Sequence, residues 1–182
     1  MEALSKPVES AHGSVLQPRS LLARYLIYGL PALAAAWFIW HYGVNVPFLD
    51  DWIVPGDIRS ASTFKGFIQA LFRGDNDHAL LIPKLVFFSL AYLTHWNIKI
   101  GMLAVLLSSV ITFFAIVRLA ESETQTTSWW RVPLALLLSA LLMFSFVHYD
   151  TWLHDWQLTH DMGDMFVVLA IAFITLSRSV PS

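Results

Sequence analysis

The sequence predicts an all-α, polytopic membrane protein, and three observations carry that prediction. Of 182 residues, 57% are hydrophobic and 13% charged, against roughly 45–50% and 25% in soluble domains. The mean hydropathy is +0.60. The apolar residues fall in long blocks with few charges, a pattern suited to spanning a bilayer rather than to surrounding one soluble core. A net charge of −2 with no basic run argues against nucleic acid as a partner. The chain has no cysteine. Disulfides, thiolate ligands and cysteine nucleophiles are therefore excluded, and histidine and carboxylate must carry any chemistry.

In chain order, residues 1–20 are polar, include Pro7 and Pro18, and read as a disordered cytoplasmic tail. Residues 21–41 form a first span without a small-residue cleavage site, so it is expected to be a retained anchor. Residues 42–78 form a long polar loop. Residues 79–96 are apolar but hold Pro83 and Lys84 and end in His95 and Trp96. Their uninterrupted apolar part falls short of the ~20 residues a span needs, which predicts a re-entrant or interfacial helix with Lys84 buried against protein or snorkelling. Further spans are expected at about 98–119, 132–147 and 164–178, with a second polar loop at 148–164.

Basic residues support this threading. Arg19 and Arg24 precede the first span and put the N-terminus in the cytoplasm. If 79–96 does not cross, Arg118 and Arg131 bracket a cytoplasmic loop and Arg178 ends the last span inside; if it crosses, all three lie outside and break the positive-inside rule. The non-crossing reading leaves both polar loops external. They hold all nine aspartates: Asp50, Asp51, Asp57, Asp75 and Asp77 in the first, and Asp150, Asp155, Asp161 and Asp164 in the second. Glu2, Glu9, Glu121 and Glu123 fall on the cytoplasmic side. Several of these aspartates adjoin the membrane, where an unpaired charge is costly.

The first loop opens with Pro47-Phe48-Leu49-Asp50-Asp51-Trp52. Adjacent carboxylates repel, which favours protonation of one and suits a general base or a metal ligand; the same pair also serves as a helix N-cap. Two amphipathic stretches follow, 57–62 and 63–72, the second placing Phe64, Phe67, Ile68, Leu71 and Phe72 at helical spacing. Both are expected on the membrane surface, apolar side down. In the second loop Asp150 and His154, at i and i+4, share a face if the segment is helical and form a candidate metal pair.

Phe48-Leu49-Asp50-Asp51-Trp52, followed by Asn76-Asp77-His78-Ala79-Leu80-Leu81-Ile82-Pro83-Lys84-Leu85, resembles the first luminal loop of bacterial membrane glycosyltransferases of the GT-C type. Their pattern resembles F-x-D-D-W and then N-E-H-R-x-x-x-P-R-L. Here Asp77 stands for glutamate, Lys84 for arginine and Ala79 for the first arginine. The second loop, Asp150-Thr151-Trp152-Leu153-His154-Asp155-Trp156-Gln157, is similar to the family's E-N-x-x-W-G-x-Q at Asp150 and Gln157.

The resemblance implies transfer of a hexose or pentose from a polyprenyl-phosphate carrier to an acceptor glycan, lipid or protein at the extracytoplasmic face of a bacterial inner (plasma) membrane. It makes Asp50 or Asp51 the catalytic base, His78 and Lys84 phosphate contacts, and Gln157 a sugar contact. A divalent ion (Mg, Mn or Zn) held by Asp150 and His154 would fit family members that use one. Such enzymes have more spans, so the chain is expected to be an N-terminal portion. A non-catalytic membrane subunit or scaffold is the main alternative. A cation transporter is the other, and it requires ionisable residues inside the spans, of which 132–147 has none.

Overall fold

In the computed structural model the described residues are 18–74, 80–122 and 130–178. They form eight α-helices and no strand: α1 (Pro18–Tyr42), α2 (Ile53–Ser60), α3 (Phe64–Phe72), α4 (Leu81–Thr94), α5 (Ile98–Ser122), α6 (Arg131–Met143), α7 (Tyr149–Trp152) and α8 (Leu158–Arg178). Three 3₁₀ turns, Leu49–Trp52, Phe146–His148 and Asp155–Gln157, join them. Among the described residues four helical stretches are long and apolar enough to cross a membrane, containing α1, α5, α6 and α8. The protein is thus an all-α, polytopic membrane protein. At ~1.5 Å per residue, the 14 residues of α4 reach about 21 Å, short of a ~30 Å hydrocarbon core.

α5 is the central helix, with Gly101, Met102, Val105, Leu106, Phe113 and Val117 among its buried residues. Tyr28 of α1 packs edge-on to Phe113, which also meets Phe144 at the end of α6. By contrast Leu26, Leu30 and Leu33 of α1 and Leu134, Leu138 and Leu142 of α6 are exposed, as expected where lipid is the solvent.

α1 and α5 run antiparallel. Near one end Tyr25 donates its hydroxyl to Glu121 at 2.6 Å. Near the other, the Lys99 ammonium donates to the Trp40 carbonyl at 2.9 Å and lies over the Trp40 ring. The chain therefore leaves the bundle after Tyr42 and rejoins it at Ile98 at the same end. Asn45 seals this return, its side-chain oxygen accepting the Ile98 N–H at 2.7 Å and satisfying one of the free donors of a helix start.

The ends of α4 and of the first polar segment are conformationally costly. His95 and Trp96 both have positive φ, 52° and 59°, and so does Leu49 at 47°. Left-handed backbone costs a non-glycine residue of order 1–2 kcal/mol. At α4 it makes a sharp stop, with the Trp96 N–H donating back to the Ala91 carbonyl at 2.9 Å.

α8 begins earlier than the sequence suggests. A span was expected from 164, yet Leu158 and Met162, one turn apart, are buried in the contact with α5 and draw the intervening polar residues into helix. Asp161 consequently accepts the Ser109 hydroxyl at 2.7 Å, midway along α5. Packing of the apolar positions overrides local polarity here.

Candidate functional site at the meeting of the two polar segments

Asp50 and Asp51 sit in the 3₁₀ turn Leu49–Trp52. Successive residues of such a turn point about 120° apart, so neighbours in sequence face different surroundings. Asp50 is exposed, whereas Asp51 is 1% exposed. One Asp51 oxygen accepts the Phe48 N–H at 2.8 Å and the other accepts the Trp156 N–H at 3.3 Å. Trp156 belongs to the second polar segment, so Asp51 joins the two.

A second acid stands beside it. Asp155 is 4% exposed, and its carboxyl meets that of Asp51 within hydrogen-bonding reach. Two carboxyls in contact and out of water hold one proton between them. Burial first, and then the Asp51 carboxyl beside it, push the Asp155 carboxyl up to about 8, so Asp155 holds the proton at neutral pH. The Oδ1 atom of Asp155 is buried without a hydrogen-bond partner among the described residues. Gly101 provides the room: a Cβ there would lie 2.5 Å from the Asp155 Cβ. Trp156 stacks on Phe87 of α4 with ring centroids 5.7 Å apart. The second segment is thus clamped between α4, α5 and the first.

The resemblance makes Lys84 a phosphate contact. In the structure Lys84 is 3% exposed and its three ammonium donors have partners inside the protein: Asp57 Oδ2 at 2.7 Å, the Arg73 carbonyl at 2.9 Å and the Ala70 carbonyl at 3.2 Å. Of the two sequence expectations for this lysine, burial against protein is the one found, and it does not snorkel. Asp57 also meets Arg73 at 3.3 Å. Lys84 thereby caps the last carbonyls of α3, as a cation at a helix C-terminus does, and ties α2, α3 and α4 together. The helix α3 is capped at its start by Thr63, whose hydroxyl oxygen accepts the Gly66 N–H at 3.0 Å.

Gln157 ends the 3₁₀ turn after Asp155 and is half-buried. Asp150 and His154 approach to 3.5 Å, and the His154 ring stacks on Phe48 at 4.9 Å. Among the described residues no group of three or more histidine, aspartate or glutamate side chains could hold a metal ion; Asp155, next along, is turned toward Gly101 and Asp51. The pair does not complete a coordination set there. His78 lies outside the described residues, as do Asp75, Asn76, Asp77 and Ala79.

An apolar groove of about 1080 Å³ runs between α2, α3 and α4. Phe67, Leu85, Phe88 and Tyr92 form much of its wall, with Arg59 and His95 as its basic residues. Trp96 also lines it and meets Trp52 edge-on at 6.4 Å. Sequence reasoning missed Arg59 and His95 as members of one site, because they are brought together only by the packing of α2 on α4. It also missed the pairing of Asp155 with Asp51; the sole sequence signal was that both are aspartates close to aromatic residues.

Fold and site together define a polytopic helical membrane protein whose two acidic segments form one buried junction at one end of the bundle. Compared with family models, curated proteins and solved structures, the chain matches none.

Proposed function

We propose that this chain is part of a membrane glycosyltransferase that moves a sugar from a polyprenyl-phosphate carrier to an acceptor hydroxyl. The observation that carries the reading is the Asp51 junction: the two segments that resemble GT-C loops are joined by Asp51, one of the two aspartates of the first motif. The same geometry divides the work between the two acids. Asp51 is enclosed and acts as a positioning residue, leaving the exposed Asp50 to meet an acceptor.

In this reaction Asp50 takes the proton of the acceptor hydroxyl as its oxygen attacks the anomeric carbon. The bond from that carbon to the phosphate oxygen breaks, and the phosphate departs with the carrier. Basic groups offset the charge that develops on it. Arg59 and His95 in the apolar groove suit this role better than Lys84, whose donors are already committed. The groove's aromatic and aliphatic wall matches a prenyl chain. Gln157 remains the candidate sugar contact.

The test is sugar transfer from polyprenyl-phosphate donors in membranes carrying the protein, wild type against Asp50→Asn. Loss of transfer with unchanged protein level is expected. Undiminished transfer would remove Asp50 as the base. A second reading, a non-catalytic membrane subunit, is favoured by one observation: Asp51 and Lys84, two of the residues the resemblance marks, are consumed by internal contacts. It predicts that no donor sugar is transferred by the wild type, while the protein still copurifies with a separate transferase.

A further inference from the structure

Trp96 Nε1 and Asp155 Oδ1 are buried side-chain atoms without a hydrogen-bond partner among the described residues. They belong to different parts of the chain, Trp96 just past the end of α4 and Asp155 at the start of the turn Asp155–Gln157. A buried polar atom that gives up water and gains no partner is destabilising, and native structures rarely leave one so. Two such atoms near one another call for a common explanation. Both residues line the same small cavity, between α4, α5 and the second polar segment. Trp96 also lines the apolar groove, so its ring is a shared wall between the groove and this cavity.

The volume of the cavity is about 10 Å³, close to the roughly 10–15 Å³ that one water molecule needs. A cavity that stays dry is apolar throughout. Here Val54 and Phe87 give an apolar wall, but Thr94 and Asn97 add polar groups to Trp96 and Asp155. The nearby side-chain oxygens are already in use. The Thr94 hydroxyl donates to the Leu90 carbonyl at 2.6 Å and accepts the Asn97 N–H at 3.1 Å, while the Asn97 side-chain oxygen accepts the Lys99 N–H at 3.1 Å. An indole N–H can only donate, and a carboxyl oxygen accepts. A molecule between them must accept from the first and donate to the second. A metal ion cannot accept the indole hydrogen, and a bare anion cannot donate to the carboxyl. Water does both and is small enough.

We infer that this cavity is a binding site for one ordered water, which accepts the Trp96 indole hydrogen and donates to the Asp155 carboxyl. A bond to Asp51 needs only one Asp155 oxygen, which leaves the other for the water. Asn97, in the same cavity, supplies a side-chain amide as the third partner that a buried water commonly has. The bridge ties the end of α4 to the second polar segment beside the Asp51 junction, and makes Trp96 a positioning residue for Asp155. The inference is independent of the proposed reaction.

The test is nuclear magnetic resonance on protein carrying isotope-labelled tryptophan in lipid nanodiscs. The Trp96 indole proton is assigned by its loss in Trp96→Phe or, if that variant does not fold, by the shift it takes when its ring neighbour is changed in Trp52→Phe. In the wild type this proton is expected to show cross-relaxation with water, of the sign that a long-lived bound molecule gives. Asp155→Leu removes the carboxyl that receives the water and should abolish the signal, whereas Asp155→Asn keeps an acceptor oxygen and should retain it. No such signal in the wild type, or an undiminished one in Asp155→Leu, would overturn the inference. A structure at a resolution that shows ordered water is the second measurement, made on the unaltered protein and decisive if Asp155→Leu misfolds. One water within about 3.2 Å of both Trp96 Nε1 and the Asp155 carboxyl is expected. An indole N–H donating straight to a protein acceptor, or a water that touches only one of the two residues, would overturn it equally.

Discussion

Asp51 accepts the backbone N–H of Trp156 at 3.3 Å across 105 residues of sequence. That bond, with the Asp155 carboxyl beside it, makes one site out of two segments that leave the bundle separately. The membrane-spanning helices deliver both segments to the same end, and Asp51 fixes how they meet.

Asp51→Asn should therefore act on stability before it acts on chemistry. The amide keeps one acceptor and presents a donor to a second backbone N–H, so a charge-assisted bond worth about 1.5–3 kcal/mol is lost. Thermal unfolding in detergent or nanodiscs should show the loss, and Asp50→Asn, at an exposed position, should unfold like wild type.

Asp155 should tolerate the change that Asp51 does not. An asparagine is isosteric with a neutral carboxylic acid and can donate to the Asp51 carboxylate, so Asp155→Asn is expected to remain within about 1 kcal/mol of wild type. If Asp155→Asn proves as damaging as Asp51→Asn, the proton has been placed on the wrong acid.

Lys84→Met should leave Asp57 buried with the exposed Arg73 as its remaining cation, at a cost of about 3–5 kcal/mol. The double change Lys84→Met with Asp57→Leu removes the stranded charge along with its partner and should recover much of that loss. A double-mutant cycle by thermal unfolding measures the coupling; additive single effects would contradict the strut joining α2, α3 and α4.

Gly101→Ala should disturb the second polar segment although no bond is removed. Its Cβ would lie 2.5 Å from that of Asp155, so the turn Asp155–Gln157 must shift, at an overpacking cost of about 1–3 kcal/mol. The shift would also weaken the Trp156 bond to Asp51, and limited proteolysis within 148–157 should become faster than in wild type.

Arg59→Ala and His95→Ala test the groove. Each is expected to raise the KM for a polyprenyl-phosphate donor roughly tenfold, the equivalent of one charge-assisted hydrogen bond, with a smaller effect on kcat. Unchanged KM in both would detach the groove from donor binding.

Much of the architecture was legible because it rests on local pattern. Blocks of apolar residues marked the four long helices, and the interruption at Pro83, Lys84 and His95 marked α4 as too short to cross. The periodicity within 63–72 marked α3, which runs Phe64–Phe72 with Thr63 as its cap. Local pattern misled where contacts across the chain decided the outcome. Asp50 and Asp51 read as a pair because they are adjacent, yet a 3₁₀ turn points adjacent side chains apart, and the buried partner of Asp51 is Asp155. The start of α8 read as loop because of its histidine and aspartates, until Leu158 and Met162 found α5.

By itself, then, the sequence determined that this is a helical membrane protein with its aspartates gathered in two segments, because apolar length and residue periodicity are properties of the chain alone. Tertiary structure decided which acid is enclosed and which is presented, where the Lys84 donors go, and that Arg59 and His95 share a groove. Those outcomes depend on side chains tens of residues apart competing for the same few hydrogen-bonding groups, and packing settles that competition.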